Sequence, residues 1–172
     1  LISKSETPIL APSANKSGGV SPTSAEHVKQ DFTKLHGSTW KISDILDYDG
    51  CEVGIESSVV DCRNELPVIL REGFITLRNI EDVLGIKVTN KNFSEELMSP
   101  GMLQKHYAPE TKLLVNQKQY LPGSACLGFR KLPISFKQCQ PPPNLSLRGK
   151  LVEASHLLYG GLRYLECLNL RF

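Results

Sequence analysis

A polar, glycine-containing segment at residues 12–23 holds the side chains best suited to chemistry in this chain. It reads Pro-Ser-Ala-Asn-Lys-Ser-Gly-Gly-Val-Ser-Pro-Thr and follows a short apolar stretch, residues 8–11, that is typical of the end of a buried strand. Apolar residues then recur at helical spacing, which predicts a helix that begins at Ser21 or Thr23. A helix N-terminus offers free N–H groups and partial positive charge, and both suit phosphate. Short hydrogen-bonding side chains surround this point: Ser13, Asn15, Ser21 and Thr23.

The same residues also have an ordinary structural interpretation. Ser21 is suited to cap a helix, the following proline suits a first helical position, and Thr23 with Glu26 forms a possible capping box. Any helix N-terminus partly resembles an anion site. Local chemistry therefore leaves both interpretations open and favours the structural one.

A second candidate group lies at residues 56–61 and 69–73, which read Glu-Ser-Ser-Val-Val-Asp and Ile-Leu-Arg-Glu-Gly. Ser57 places a hydroxyl at the start of a predicted strand. Arg71 ends a second predicted strand, and its guanidinium can hold a phosphate or carboxylate with two hydrogen bonds. The alternative is that Arg71 pairs with a surface carboxylate such as Glu72. The residues alone do not separate these interpretations.

A third group lies in a long polar stretch, residues 87–110, which a compact domain usually uses as a functional loop or a linker. It contains Ser-Pro-Gly at 99–101 and His-Tyr-Ala-Pro at 106–109. A lone His-Tyr pair in such a loop is usually a surface turn.

The elements around these groups alternate between strand and helix patterns, which favours an α/β fold. Strands are predicted at 44–46, at the end of 53–62, at 66–70, at 112–115 and at 125–129. Thr76 is predicted to cap a helix that ends at Leu84 before Gly85, and a second amphipathic helix is predicted from Leu151. Gly160 and Gly161 within that helix cost roughly 1 kcal/mol each relative to alanine.

Composition narrows the class of protein. The 172 residues are 40% hydrophobic and 22% charged, which predicts a soluble globular protein, and no apolar run approaches the ~20 residues of a membrane span. The five cysteines form no Cys-x-x-Cys pair, so we expect reduced cysteines in a cytoplasmic protein and no metal site. Residues 90–172 carry a net charge of +6 and residues 1–89 a net charge of −4, so the C-terminal half could contact RNA.

The motifs together resemble those of the YrdC-type threonylcarbamoyl-AMP synthases. The segment from Ala11 to Thr23 is similar to the family's serine-x-asparagine motif, and residues 56–61 and 69–73 are similar to its Glu-Ser-Thr-Val-Val-Asp and Ile-Leu-Arg-x-Gly segments. The Ser-Pro-Gly and His-Tyr-Ala-Pro sequences resemble the linker of the two-domain form. Residues 157–166 resemble a helix of its small domain, with two glycines in place of two alanines.

The resemblance implies a fold and a domain division. Residues 1–88 would be part of a YrdC-like catalytic domain, a twisted mixed sheet with helices. Residues 89–110 would be a linker, in which 91–109 form a mobile lid, and residues 111–172 would be part of a small Rossmann-like α/β domain.

The resemblance also implies an activity. Threonine, bicarbonate and ATP would give threonylcarbamoyl-adenylate and pyrophosphate, with Mg²⁺ on the triphosphate, and another enzyme would transfer the threonylcarbamoyl group to tRNA. Ser13 and Ser57 would contact threonine. ATP would be bound by Asn15, Thr23, Arg71, His106 and Tyr107, the last two from the lid. No general base is assigned.

One departure from the family bears on activity. The family's Lys-x-Arg segment, which binds triphosphate and substrate, is not found in residues 1–172. We therefore expect an incomplete member of the family that binds ATP weakly or not at all by itself. The alternatives are a double-stranded RNA-binding protein without catalysis and an inactive remnant of a split gene.

Overall fold

The computed structural model describes residues 1–33, 42–90, 107–138 and 143–168. The helices are α1 (Ile2–Ser5), α2 (Ala25–Thr33), α3 (Leu77–Leu84) and α4 (Leu151–Cys167), with a 3₁₀ turn at Ile134–Gln138. The strands are β1 (Val59–Asp61), β2 (Val68–Arg71) and β3 (Thr89–Asn90). The described part of residues 1–90 contains three helices and a three-stranded sheet, so the predicted α/β class is confirmed. Within these described ranges, no helix has both the length and the apolar character needed to cross a membrane.

The three strands form one mixed sheet with β2 at its centre. Strand β1 runs antiparallel to β2, with an irregular register between Val59 and Val60, and β3 runs parallel to it. The central strand carries Ile69, whose side chain is fully buried. Because β2 is bonded on both edges, it is the most firmly held strand of this sheet and provides a fixed support for Arg71 at its end.

The sequence predicted the elements around β2 correctly. Two predicted strands, at the end of 53–62 and at 66–70, correspond to β1 and β2, and the predicted helix is α3. The hydroxyl of Thr76 accepts from the backbone N–H of Asn79 at 3.3 Å, while the Asn79 side chain accepts from the N–H of Thr76 at 3.0 Å. Gly85 ends α3 with a φ of 68°, in the left-handed region that glycine tolerates.

Three other predicted strands are wrong. Residues 8–11, 44–46 and 112–115 form no strand, and the side chain of Leu10 is wholly exposed. Within 125–129 only Gly128 bridges another segment, at Asn144. A short apolar run becomes a strand only where a neighbouring segment pairs with its backbone, and none of the described strands lies beside these runs.

The start of α2 also differs from the prediction. The helix begins at Ala25 rather than at Ser21 or Thr23, and Ser24 caps it by accepting from the N–H of His27 at 3.3 Å. The Thr23–Glu26 capping box is replaced by a different contact, in which the N–H of Thr23 donates to Nδ1 of His27 at 3.1 Å. The imidazole thus satisfies a backbone donor that a glutamate was expected to bind.

Helix α4 packs closely against the rest of the chain, and one of its two glycines explains how. A Cβ on Gly161 would lie 2.7 Å from Cδ1 of Leu127, which is closer than side-chain contacts allow. The buried face of α4 includes Leu162 and Arg163. The lost helix propensity at this glycine is therefore compensated by close tertiary packing.

The cap of α3 gives a first prediction. Thr76→Ala removes the hydroxyl that accepts from Asn79, so the free energy of unfolding should fall by about 1 kcal/mol. Thr76→Ser keeps an acceptor at the same position and should lose only a small part of that. Chemical denaturation of the three proteins measures both differences, and equal losses for alanine and serine would show that the cap contributes little.

Candidate active site

The side chain of Arg71 lies at the centre of the candidate site. Its Nε donates to the carbonyl of Ser57 at 3.0 Å and its Nη2 to the Ser57 hydroxyl at 3.3 Å. Its Nη1 donates to the hydroxyl of Tyr107 at 3.0 Å. Ser57 and Arg71 from the second candidate group and Tyr107 from the third are thus brought together although they lie up to 50 positions apart.

A carboxylate completes this group. Oε2 of Glu56 lies 3.9 Å from Nη2 of Arg71, and the hydroxyl of Ser21 donates to Oε1 of Glu56. The side chains of Arg71 and Glu56 are only 17% and 26% exposed, so this ion pair is partly shielded from solvent. The ion pair that the structure shows for Arg71 is therefore with Glu56, whereas Glu72 was the partner considered from the sequence.

Two tyrosines form an aromatic wall beside the guanidinium. The Tyr107 ring stacks on that of Tyr159 from α4, with centroids 6.3 Å apart and planes at 23°. The Arg71 guanidinium carbon lies 5.8 Å from the centre of the Tyr107 ring, a cation–π distance. Burial, with the Glu56 charge second, raises the pKa of Tyr159 to about 12, so its hydroxyl stays protonated at neutral pH.

The polar loop at 12–23 also contacts this group. The N–H of Ala108 donates to the carbonyl of Gly18 at 3.2 Å, which joins the loop to the residue after Tyr107. Asn15 shapes the loop, because its amide donates to the carbonyls of Lys16 and Gly19 at 3.1 and 3.2 Å. Its Oδ1 is buried and accepts no hydrogen bond within the described part of the chain.

The remaining predicted site residues are placed differently. Ser13 is exposed and takes no part in the hydrogen bonds around Arg71 among the described residues. The hydroxyl of Thr23 lies 3.3 Å from Nδ1 of His27, and Thr23 lines a cavity of about 240 Å³ beneath α4 together with Cys51. His106 and most of the predicted lid lie outside the described residues.

Sequence reasoning missed two members of the group. Glu56 directly precedes Ser57, and a carboxylate beside a candidate hydroxyl was a usable signal. Tyr159 carried no local signal, because it lies on a helix more than 80 positions from Arg71 and reaches the group only through packing.

The arrangement is suited to binding a ligand that carries an anionic group next to a planar or apolar group. It presents a fixed guanidinium, hydroxyls from Ser21, Ser57 and Tyr107, and a flat aromatic surface. A guanidinium and hydroxyls recognise phosphate or carboxylate oxygens, and an aromatic face covers a planar or apolar group. Across residues 1–33, 42–90, 107–138 and 143–168, no group of three or more His, Cys, Asp or Glu side chains is placed to hold a metal ion.

Two family models match successive parts of the chain. Residues 1–73 match the Sua5/YciO/YrdC family, described as "Telomere recombination". Residues 75–171 match the family described as "Threonylcarbamoyl-AMP synthase, C-terminal domain". The chain belongs to the threonylcarbamoyl-AMP synthase family.

Individual relatives agree with this assignment. A threonylcarbamoyl-AMP synthase of Bacillus subtilis (strain 168) is 45% identical over 118 residues, 67% of this chain and 32% of that protein. Another from Pyrococcus abyssi (strain GE5 / Orsay) is 43% identical over 119 residues, 67% of this chain and 33% of that protein. The chain thus spans about a third of the length of these curated relatives.

Solved structures of the family share the fold. The crystal structure of P. abyssi Sua5 complexed with L-threonine has a TM-score of 0.69 at 28% identity and covers 98% of this chain and 52% of that one. A P. abyssi Sua5 variant in which an adjacent histidine and tyrosine are both replaced by alanine has a TM-score of 0.64 at 27% identity, with coverages of 98% and 51%.

Gly73 gives a prediction for the site. A Cβ at this position would lie 2.2 Å from the carbonyl oxygen of Glu56 and 2.7 Å from the backbone nitrogen of Ser58. Gly73→Ala must therefore push the segment that carries Glu56 and Ser57 away from Arg71. We expect a loss of about 1–3 kcal/mol in unfolding free energy, as in other overpacked sites. Gly50→Ala is the control, because its Cβ would make an ordinary contact at 3.5 Å; equal stabilities of the two variants would contradict this account.

His27 gives a prediction on pH. Burial, and second the nearby Arg163 charge, lower the pKa of His27 below 6.5, and its neutral Nδ1 accepts from the N–H of Thr23. The unfolded chain therefore binds this proton more readily, so stability should fall as the pH drops below about 6.5. In His27→Asn the side-chain oxygen can replace the acceptor without titrating. Denaturation at several pH values should show a smaller loss for this variant than for the wild type, and identical slopes would contradict the assignment.

Proposed function

We propose that this chain forms part of an L-threonylcarbamoyladenylate synthase, a nucleotidyltransferase that acts on threonine, bicarbonate and ATP. The observation that carries the proposal is the convergence of Ser57, Glu56 and Tyr107 on Arg71. Family membership supports the reaction, and the names of the relatives support the product. The similar P. abyssi Sua5 was crystallised with L-threonine bound, which supports threonine as a substrate.

The proposed reaction needs positioning and charge stabilisation more than proton transfer. The threonine amine and bicarbonate form a carbamate with loss of water. A carbamate oxygen then attacks the α-phosphorus of ATP, the bond to the bridging oxygen breaks, and pyrophosphate leaves. Negative charge accumulates on phosphate oxygens during this step, and a preorganised cation stabilises it.

Arg71 is the side chain best placed for that role in the described part of the chain. The Arg71 guanidinium and the exposed Ser57 hydroxyl lie 3.3 Å apart, so an anion bound beside them would receive hydrogen bonds from both. Glu56 orients the guanidinium and keeps it from turning away. Tyr107 and Tyr159 cover one side, which limits access of water to the adenylate product.

The other predicted contacts remain part of the proposal. Asn15 and Thr23 would bind nucleotide from the polar loop, and Ser13 would contact threonine. His106 would act with Tyr107 from the linker at 89–110, and these residues form the only His-Tyr pair in the sequence. The contacts of Tyr107 with Arg71 and of Ala108 with Gly18 support a linker whose C-terminal end lies over the site.

Mg²⁺ would enter with the nucleotide. The described residues form no cluster of metal ligands, and the Glu56 carboxylate already binds Ser21 and Arg71. These side chains therefore do not form a protein-held cation site. A triphosphate supplies its own oxygen ligands to Mg²⁺, which typically keeps several waters. The product would pass in the cytoplasm to the enzyme that modifies tRNA.

The proposal predicts the effect of Arg71→Ala on activity. The test uses the complete gene product that contains residues 1–172 and follows pyrophosphate release that depends on threonine, bicarbonate and ATP together. Mass spectrometry identifies the adenylate. Losing a charge-assisted contact to phosphate should cost about 1.5–3 kcal/mol of nucleotide interaction, which corresponds to a loss of ~10- to 150-fold.

The control is Arg78→Ala, since Arg78 is an exposed arginine on α3. It should leave both activity and thermal stability close to the wild-type values. Normal activity with a lowered melting temperature in Arg71→Ala would show that Arg71 is only a structural partner of Glu56. Absence of adenylate formation by the wild-type protein under all conditions would overturn the proposed function itself.

A further inference from the structure

Arg163 is a buried arginine on α4 whose guanidinium donates hydrogen bonds both to a carboxylate and to backbone carbonyls. Its Nη1 and Nη2 donate to the two carboxylate oxygens of Asp31 in α2, at 3.0 and 2.6 Å. Its Nε donates to the carbonyl of Ser21 at 3.2 Å, and Nη2 also donates to the carbonyl of Val20. The residue is 9% exposed and Val20 is 3% exposed, so these contacts are made away from water.

The two carbonyls that Arg163 holds belong to the segment that carries the Ser21 hydroxyl. That hydroxyl donates to Glu56, and Glu56 in turn lies 3.9 Å from the guanidinium of Arg71. A shift of the Val20–Ser21 backbone would therefore move the donor that orders Glu56. Such a chain of contacts joins α4 to the centre of the site without Arg163 touching a ligand.

The shape of the arginine side chain matters for this connection. Among the described residues Asp31 is the carboxylate paired with its charge, and two further N–H groups, on Nε and Nη2, donate to two consecutive carbonyls. A planar fork can serve a carboxylate and neighbouring carbonyls at once, whereas a lysine ammonium is a single point with three donors. Only the arginine geometry links α2, the Val20–Ser21 backbone and α4 together.

A second side chain of α4 reaches the same site from the same face of the helix. Tyr159 lies four positions before Arg163, so the two project one above the other. Its ring stacks on Tyr107, and its hydroxyl lies at the backbone of Glu56. Helix α4 therefore contacts the surroundings of the Glu56–Arg71 pair at two points, through Tyr159 at Tyr107 and through Arg163 at the Ser21 backbone.

We propose that Arg163 is a positioning residue for this site, which holds the Val20–Ser21 backbone so that the Ser21 hydroxyl orders Glu56 beside Arg71. The proposal rests on the proposed function only for the identity of the reaction whose rate Arg163 affects. The contact itself stands on the geometry.

A double-mutant cycle on the complete gene product tests the connection. Ser21→Ala and Arg163→Lys should each lower kcat/KM for adenylate formation by about tenfold, because both release Glu56. If Arg163 acts through Ser21, kcat/KM of the double variant should be no more than about threefold below that of the less active single variant. Multiplying effects, near a hundredfold in total, would show that Arg163 acts independently of Ser21 and would overturn the proposal.

Asp31→Asn separates positioning from stability. It weakens the ion pair but leaves the donors of Arg163 to the two carbonyls in place, so it should lower the melting temperature while kcat/KM stays within about twofold of wild type. Equal losses of kcat/KM in Asp31→Asn and Arg163→Lys would indicate a merely structural ion pair. Lys150→Gln is the control at the N-terminus of α4, since it removes only the exposed pair with Glu153.

Amide hydrogen exchange gives a readout that does not depend on activity. Arg163→Lys should speed exchange in peptides that cover 18–24 and 54–58, while Lys150→Gln should not. If the wild-type protein forms no adenylate but Arg163→Lys still speeds exchange in both peptides, the proposed function is refuted and the positioning contact is supported. An active wild type in which neither peptide responds would refute the positioning role alone.

Discussion

The candidate site depends on the requirement that a partly buried guanidinium be held by fixed polar partners. A charge withdrawn from water is stable only where fixed acceptors replace the lost hydration. Arg71 meets this requirement through Glu56, through the carbonyl and hydroxyl of Ser57, and through Tyr107. These partners come from distant segments, so forming the site requires that those segments fold against one another.

The sheet gives this arrangement its rigidity. Arg71 ends the central strand, and the fully buried Ile69 anchors that strand two positions earlier. Gly73 then lets the chain pass against the backbone at Glu56, which sets the spacing between the two halves of the ion pair. Helix α4 closes the arrangement by means of Tyr159 and Arg163. The site is therefore built on a strand and a helix, although most of its polar atoms belong to loops.

The parts of the fold with local signals could be predicted, and those that depend on partner segments could not. Thr76 and Gly85 mark the ends of α3 by capping chemistry that needs only near neighbours. The apolar run at 8–11 has the same appearance as a strand, but pairing decides its structure and no local residue encodes that. In the site, Ser57 and Arg71 were found from their motifs, whereas Tyr159 depends on how α4 packs.

The contact between Arg71 and the tyrosine stack has a consequence for how the gene can be divided. Arg71 lies in the region matched by one family, and Tyr107 and Tyr159 lie in the region matched by the other, with the boundary near residue 74. A gene fission at that boundary would place the guanidinium and its aromatic cover on separate polypeptides. Restoring the contact would then depend on concentration and on the entropy lost when two chains associate. A single chain that holds both regions makes this contact independent of protein concentration.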